Sequence, residues 1–206
     1  MAKLIITADD FGYHRRYDEG ILRAAEARAV DAVSAFALRQ GLGPEPLVAA
    51  GVEIGLHLEL EGVPLAEQAR IFAARFDRPP AYLDGHRHVH AAPAHATAVA
   101  RFAAAHELPV RSVSPAHRRL LRAHGVATPD LLIGRLGENE PALPVELRAS
   151  ADSLPAVTEW FVHPGLSAGE GFSRYDAGRE EDLRLLLDLV LPSGIERATH
   201  EILRVY

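Results

Sequence analysis

The chain has no cysteine, so disulfides, thiolate metal sites and cysteine nucleophiles are all excluded. It has a single lysine, Lys3, placed before the first apolar run. A carboxylated lysine bridging two metal ions is therefore disfavoured. No apolar stretch approaches the roughly 20 residues needed to cross a bilayer, and no apolar leader segment with a cleavage site precedes Leu4. A cytoplasmic location with no membrane span is the expectation. Basic residues are outnumbered, 22 against 28 acidic, for a formal charge of −6. That balance argues against a nucleic-acid or anionic-membrane surface.

What is abundant is apolar content and histidine. Hydrophobic residues make up 48% of the 206, enough for a sizeable core, and there are 11 histidines. With no linker, repeat or low-complexity tract, residues 1–206 are expected to form one domain. Short apolar runs read as buried parallel strands at Leu4–Ala8, Ala32–Leu38, Val52–Leu58, Ala81–Asp84, Pro109–Val113 and Thr158–Val162. Helical patterns lie between them, at Tyr17–Ala29, Glu45–Ala50, Ala66–Phe76 and Ala94–His106, with Ala177–Leu191 after the last strand. The proline-bearing stretch Ser114–Leu154 suggests short helices, and the tail Ile195–Tyr206 reads as helix or strand. Alternating strands and helices predict an α/β fold with a parallel sheet, open or closed into a barrel.

In such folds ligands bind at the carboxyl ends of the strands. Four chemistry-bearing segments fall there: Asp9-Asp10, Gly55-Leu56-His57-Leu58, Asp84-Gly85-His86-Arg87-His88-Val89-His90, and His163-Pro164-Gly165. One carboxylate and two imidazoles suit a divalent metal with an open position for water, and a second carboxylate can act as base. If extended, His86, His88 and His90 share one face. Each segment alone is weak, since an acidic pair also caps helices and a lone histidine is often a satisfied core residue. Gly165-Leu166-Ser167-Ala168-Gly169 fits a serine nucleophile elbow, but that motif needs a strand running into the Ser and a helix leaving it. The pattern here predicts a loop instead.

The combination Thr7-Ala8-Asp9-Asp10-Phe11-Gly12, Glu19-Gly20-Ile21, Gly55-Leu56-His57-Leu58, Leu83-Asp84-Gly85-His86-Arg87-His88-Val89-His90 and Val162-His163-Pro164-Gly165 resembles the YdjC-like family of chitooligosaccharide deacetylase-type carbohydrate deacetylases. The resemblance implies a variant (β/α) barrel, glycoside hydrolase/deacetylase-like, that hydrolyses an N-acetyl group from an amino sugar. It implies Asp10, His57 and His86 as ligands of one divalent ion, magnesium or zinc first and nickel or cobalt also compatible. It implies Asp9 as catalytic base and His163 as the group protonating the leaving amine. His88 and His90 would contact substrate, with His90 alternatively a structural anchor. Expected partners are a small-molecule or oligosaccharide substrate and, through the outer helices, a second copy in a homodimer. Another metal-dependent amidohydrolase or phosphoesterase, and a non-catalytic sugar-binding protein, are the competing readings.

The chain departs from the family pattern in places. Leu60–Leu65 is short, Asp18 stands where Asn is usual, and Ala32-Val33-Ser34 with Leu38 replace polar positions expected to line the site. Those changes bear on substrate identity more than on the metal chemistry.

Overall fold

The computed structural model describes residues 1–60, 62–135, 142–147, 154–169, 172–173 and 175–204. Among them, seven strands form one parallel sheet: β1 (Ala2–Phe11), β2 (Ala32–Ala35), β3 (Glu53–Leu58), β4 (Leu83–Gly85), β5 (Leu131–Gly134), β6 (Val157–Val162) and β7 (Ile195–Arg197). The order is β4-β3-β2-β1-β6-β5, with β7 paired to the start of β1. Six helices accompany it: α1 (Arg15–Glu26), α2 (Glu45–Ala50), α3 (Leu65–Phe76), α4 (Ala96–Ala105), α5 (Pro115–Ala123) and α6 (Asp176–Leu187). The sheet curls into a half-barrel with these helices packed around it. Beyond β4, Val110 bridges Leu83, and its N–H reaches the Ala127 carbonyl at 3.0 Å, towards the β5 side.

β1 is central because its side chains are buried on both faces: Leu4, Ile5, Ile6 and Ala8 are all inaccessible. It pairs in register with β6 from Lys3↔Val157 to Ala8↔Val162. Because every strand runs the same way, the ends of β1, β3, β4 and β6 open on one rim.

Two of the expected elements differ. Pro109–Val113 is not a strand beyond the single bridge at Val110, where the backbone pairs with β4 only at Leu83; Arg111 turns its side chain into the interior ionic layer. β5, a four-residue apolar run just after Pro129, lies inside the stretch read as helices; so short a run carries no period of its own. The tail resolves into β7 and a 3₁₀ turn over His200–Arg204. No helix among the described residues is long and apolar enough to cross a membrane.

Several glycines of the sequence motifs have a packing reason. A Cβ at Gly20 would lie 2.4 Å from the Gly165 Cα, so α1 meets the segment after β6 backbone to backbone. A Cβ at Gly55 would lie 2.3 Å from the Tyr82 ring.

Candidate metal centre

Neighbouring residues of a regular strand point to opposite faces, yet Asp9 and Asp10 both line one cavity of about 600 Å³. The reason is local. The pairing of β1 with β2 shifts register between Ala8 and Phe11, and Asp10 takes a left-handed backbone, φ 76°. A bulge of this kind re-aims side chains at a strand end. Both carboxylates are 3% exposed.

Asp10 Oδ1 faces His57 Nε2 at 3.4 Å and His86 Nδ1 at 3.1 Å. The three donor atoms lie within 4.8 Å of one another and could hold a metal ion. His57 stands near the end of β3, and His86 follows β4 directly. The His57 ring is fixed from behind: its Nδ1–H donates to Asp84 Oδ1 at 2.8 Å, so Nε2 is the nitrogen that faces Asp10. Ser34 Oγ donates to the same Asp84 oxygen. A carboxylate holding the far nitrogen of an imidazole sets its tautomer and raises its basicity as a ligand. The donor set fits a divalent ion: one anionic oxygen, two imidazole nitrogens, and a second-layer carboxylate.

A second group, Asp9, His57 and Asp84, is also close enough to bind a cation. It already has one. Arg111, fully buried, clasps Asp9 through both oxygens at 2.6 and 2.8 Å, and its Nη1 lies 3.0 Å from Asp84 Oδ2. The guanidinium fills the place a second metal ion would need. Arg179, from α6, donates to Asp10 Oδ2 at 2.5 Å and leaves Oδ1 to the imidazoles.

The electrostatics follow from these partners. Burial raises the Asp9 pKa and outweighs Arg111, which pulls it down. Burial also works to raise Asp10, but Arg179, His57 and His86 more than offset it and hold the carboxyl well below its ordinary value. Burial would lower His57, but Asp84 and Asp10 carry it up to about 10. Burial pushes His163 down, against the pull of Asp10, so its imidazole is neutral near pH 7.

His163 follows β6 and lines the cavity; its backbone N–H donates to Asp182 Oδ2 at 3.0 Å. His88 lines the cavity as well, but not by alternation along a strand. Residues 86–91 form a 3₁₀ turn in which Arg87 and His88 are left-handed, φ 50° and 58°. The extended segment with three imidazoles on one face does not form. Burial, with Arg111 nearby, lowers His88 to about 4, so it is a neutral hydrogen-bonding group. His90 is not among the lining residues. It is fully buried, and its Nε2–H donates to the Arg111 carbonyl at 3.1 Å, the place of an anchor rather than a substrate contact.

Sequence reasoning left out Asp84 as an orienting group, Arg111, Arg179 and Glu159. Only Glu159 carries a plain signal, an acid in the middle of an apolar strand. Asp18 and Ser34, two of the departures from the family pattern, are not lining positions. Asp18 accepts from the Gly12 and Leu42 N–H groups at 2.6 and 2.8 Å, and Ser34 supports Asp84. The serine elbow is absent: β6 ends at Val162, α6 starts at Asp176, and Ser167 Oγ donates to Asp176.

The YdjC-like protein family model matches residues 3–67 and 64–197, most of the chain. The chain belongs to the YdjC-like family. A relative from Serratia marcescens named chitooligosaccharide deacetylase is 29% identical over 238 aligned positions, covering 93% of each chain. A solved structure from Enterococcus faecalis, described as a proposed cellobiose-phosphate cleavage protein, superposes with a TM-score of 0.71 at 22% identity, over 98% of both chains. At that identity it speaks for the fold of this YdjC-like protein alone.

Proposed function

We propose that this YdjC-like protein is a metal-dependent hydrolase that removes an N-acetyl group from an amino sugar or related glycan. The observation that carries the reading is the convergence of Asp10 Oδ1, His57 Nε2 and His86 Nδ1 on one side of a cavity that Asp9 and His163 also line. The Serratia relative's name supports the same reaction class.

Asp10, His57 and His86 would hold the ion. Bound there, a divalent ion supplies Lewis acidity, making a water easier to deprotonate and an acyl carbonyl easier to attack. Zinc and magnesium both suit the donor set, as do nickel and cobalt. Asp9 takes the proton of the attacking water at a carboxylate oxygen. Arg111 grips both Asp9 oxygens, so the carboxylate cannot rotate out of line, while each oxygen keeps a lone pair for the proton. Arg179 balances the charge of Asp10 on the side away from the imidazoles. His163 delivers a proton to the leaving nitrogen. Its depressed pKa makes the imidazolium a strong acid once charged; it takes its proton from solvent before the carbon–nitrogen bond breaks, and Asp9 returns the water's proton to solvent after it. His88, neutral and lining the cavity, offers a hydrogen bond to a substrate hydroxyl.

The test is metal analysis of the purified protein together with acetate release from a panel of N-acetylated sugars. About one ion per chain and ion-dependent acetate release are expected. No acetate from any sugar with zinc, magnesium, cobalt or nickel supplied would overturn the reading.

A further inference from the structure

Below the cavity, the interior of the half-barrel is charged where branched apolar side chains usually fill such a core. Glu159, in the middle of β6, is fully buried. Its Oε1 accepts hydrogen bonds from Thr7 Oγ1 at 2.9 Å and Arg111 Nε at 3.0 Å, with Arg111 Nη2 also at 2.9 Å. On its other side stands His200, from the 3₁₀ turn near the end of the chain. His200 is fully buried, and its Nε2 lies 3.5 Å from the same Glu159 oxygen, an ion-pair distance. Both its Nδ1–H and its backbone N–H donate to Glu53 Oε2, at 2.6 and 2.9 Å. The ring lies flat on Tyr82, centroids 3.6 Å apart. Neither His200, Glu53 nor Glu159 lines the cavity.

Charges alternate along this line: Glu53, His200, Glu159, Arg111, then Asp9 and Asp84. Three carboxylates surround the one guanidinium, and His57 shares only Asp84 with it, so the Glu159 end is left short of positive charge. A cationic His200 supplies the missing positive charge at the far end. Burial alone would discharge that ring, but Glu159 and Glu53 hold its pKa up to about 9. Without this partner, Glu159 either draws the guanidinium towards itself or takes up a proton and loosens its hold on Nε. Each outcome moves the opposite edge of the guanidinium, where Asp9 is held.

We propose that His200 is a positioning residue: acting through Glu159, it keeps Arg111 oriented so that the guanidinium clasps both oxygens of Asp9. The link to catalysis rests on Asp9 being the base of the proposed deacetylation; the link to Arg111 does not. His200→Gln tests it, since glutamine keeps a polar group for Glu53 and removes the charge. The readouts are the proton–nitrogen resonance of the Arg111 Nε–H, assigned through its own backbone, and kcat and KM for acetate release. A displaced resonance is expected, with kcat down about 10- to 100-fold, the range seen when an orienting partner is lost, and KM little changed. An unmoved resonance in folded H200Q overturns the proposal whatever the rate, as does a displaced resonance with unchanged kcat. If H200Q fails to fold, Glu53→Gln decides by the same resonance: a smaller displacement supports the proposal, none overturns it. A wild-type chain that releases no acetate sinks the deacetylase reading and leaves the resonance to judge the positioning of Arg111.

Discussion

Asp9 and Asp10 share a peptide bond, yet burial lifts the pKa of the first while Arg179 and two imidazoles hold the second down. Two carboxyls with opposite pKa shifts are thus built from one dipeptide, the pattern expected if Asp9 is the base and Asp10 a ligand. Asp9→Asn should leave the ion bound and cost about 10² or more in kcat, as loss of a general base does; metal analysis and initial rates on the same sample check both halves. Full activity in D9N would remove Asp9 from the base role. His57 bears on pH. Its pKa of about 10 in the ion-free fold means that an arriving ion must displace a proton. Metal affinity should therefore climb from pH 7 towards pH 10, and calorimetry in two buffers of different ionisation enthalpy should record proton release. The sign for stability is the reverse. With the ion absent, the raised pKa stabilises the fold fully below the ordinary histidine value of 6.5. That contribution fades as pH rises towards about 10.

The strand ends place the chemistry, and the sequence showed most of them. Apolar runs bounded by turn residues located β1, β3 and β6 to within a few residues, and with them Asp9, Asp10, His57 and His163. The bulge that sends both carboxylates into one cavity was not legible, because a register shift depends on the neighbouring strand. Nor was the 3₁₀ turn over residues 86–91: His-x-His-x-His alternates like a strand, and only packing around Gly85 and His90 selects the turn. Arg111 lies on a segment that lacks a strand's full pairing, so its inward direction has no periodic signature. At this scale Gly55→Ala is the informative change. Its Cβ would meet the rigid Tyr82 ring, which is pressed against His200, and the neighbours cannot yield cheaply. A loss of about 1–3 kcal/mol is expected, the usual cost of overpacking, read as a lower denaturation midpoint with an unchanged slope. A midpoint equal to wild type would mean that Tyr82 has room to move.

Across the whole molecule, two layers meet at the middle of the half-barrel. The rim layer, Asp10, His57 and His86, could hold an ion; the layer beneath is held by Arg111, which already satisfies Asp9, Asp84 and Glu159. The deeper acids thus carry a counter-ion tethered to the backbone, one that a chelator cannot extract. Treatment with a strong chelator should abolish hydrolysis while unfolding stays cooperative, and readdition of the ion should restore the rate without refolding. Collapse of the thermal transition on chelation would mean that the exchangeable charge, not the tethered one, holds the interior together.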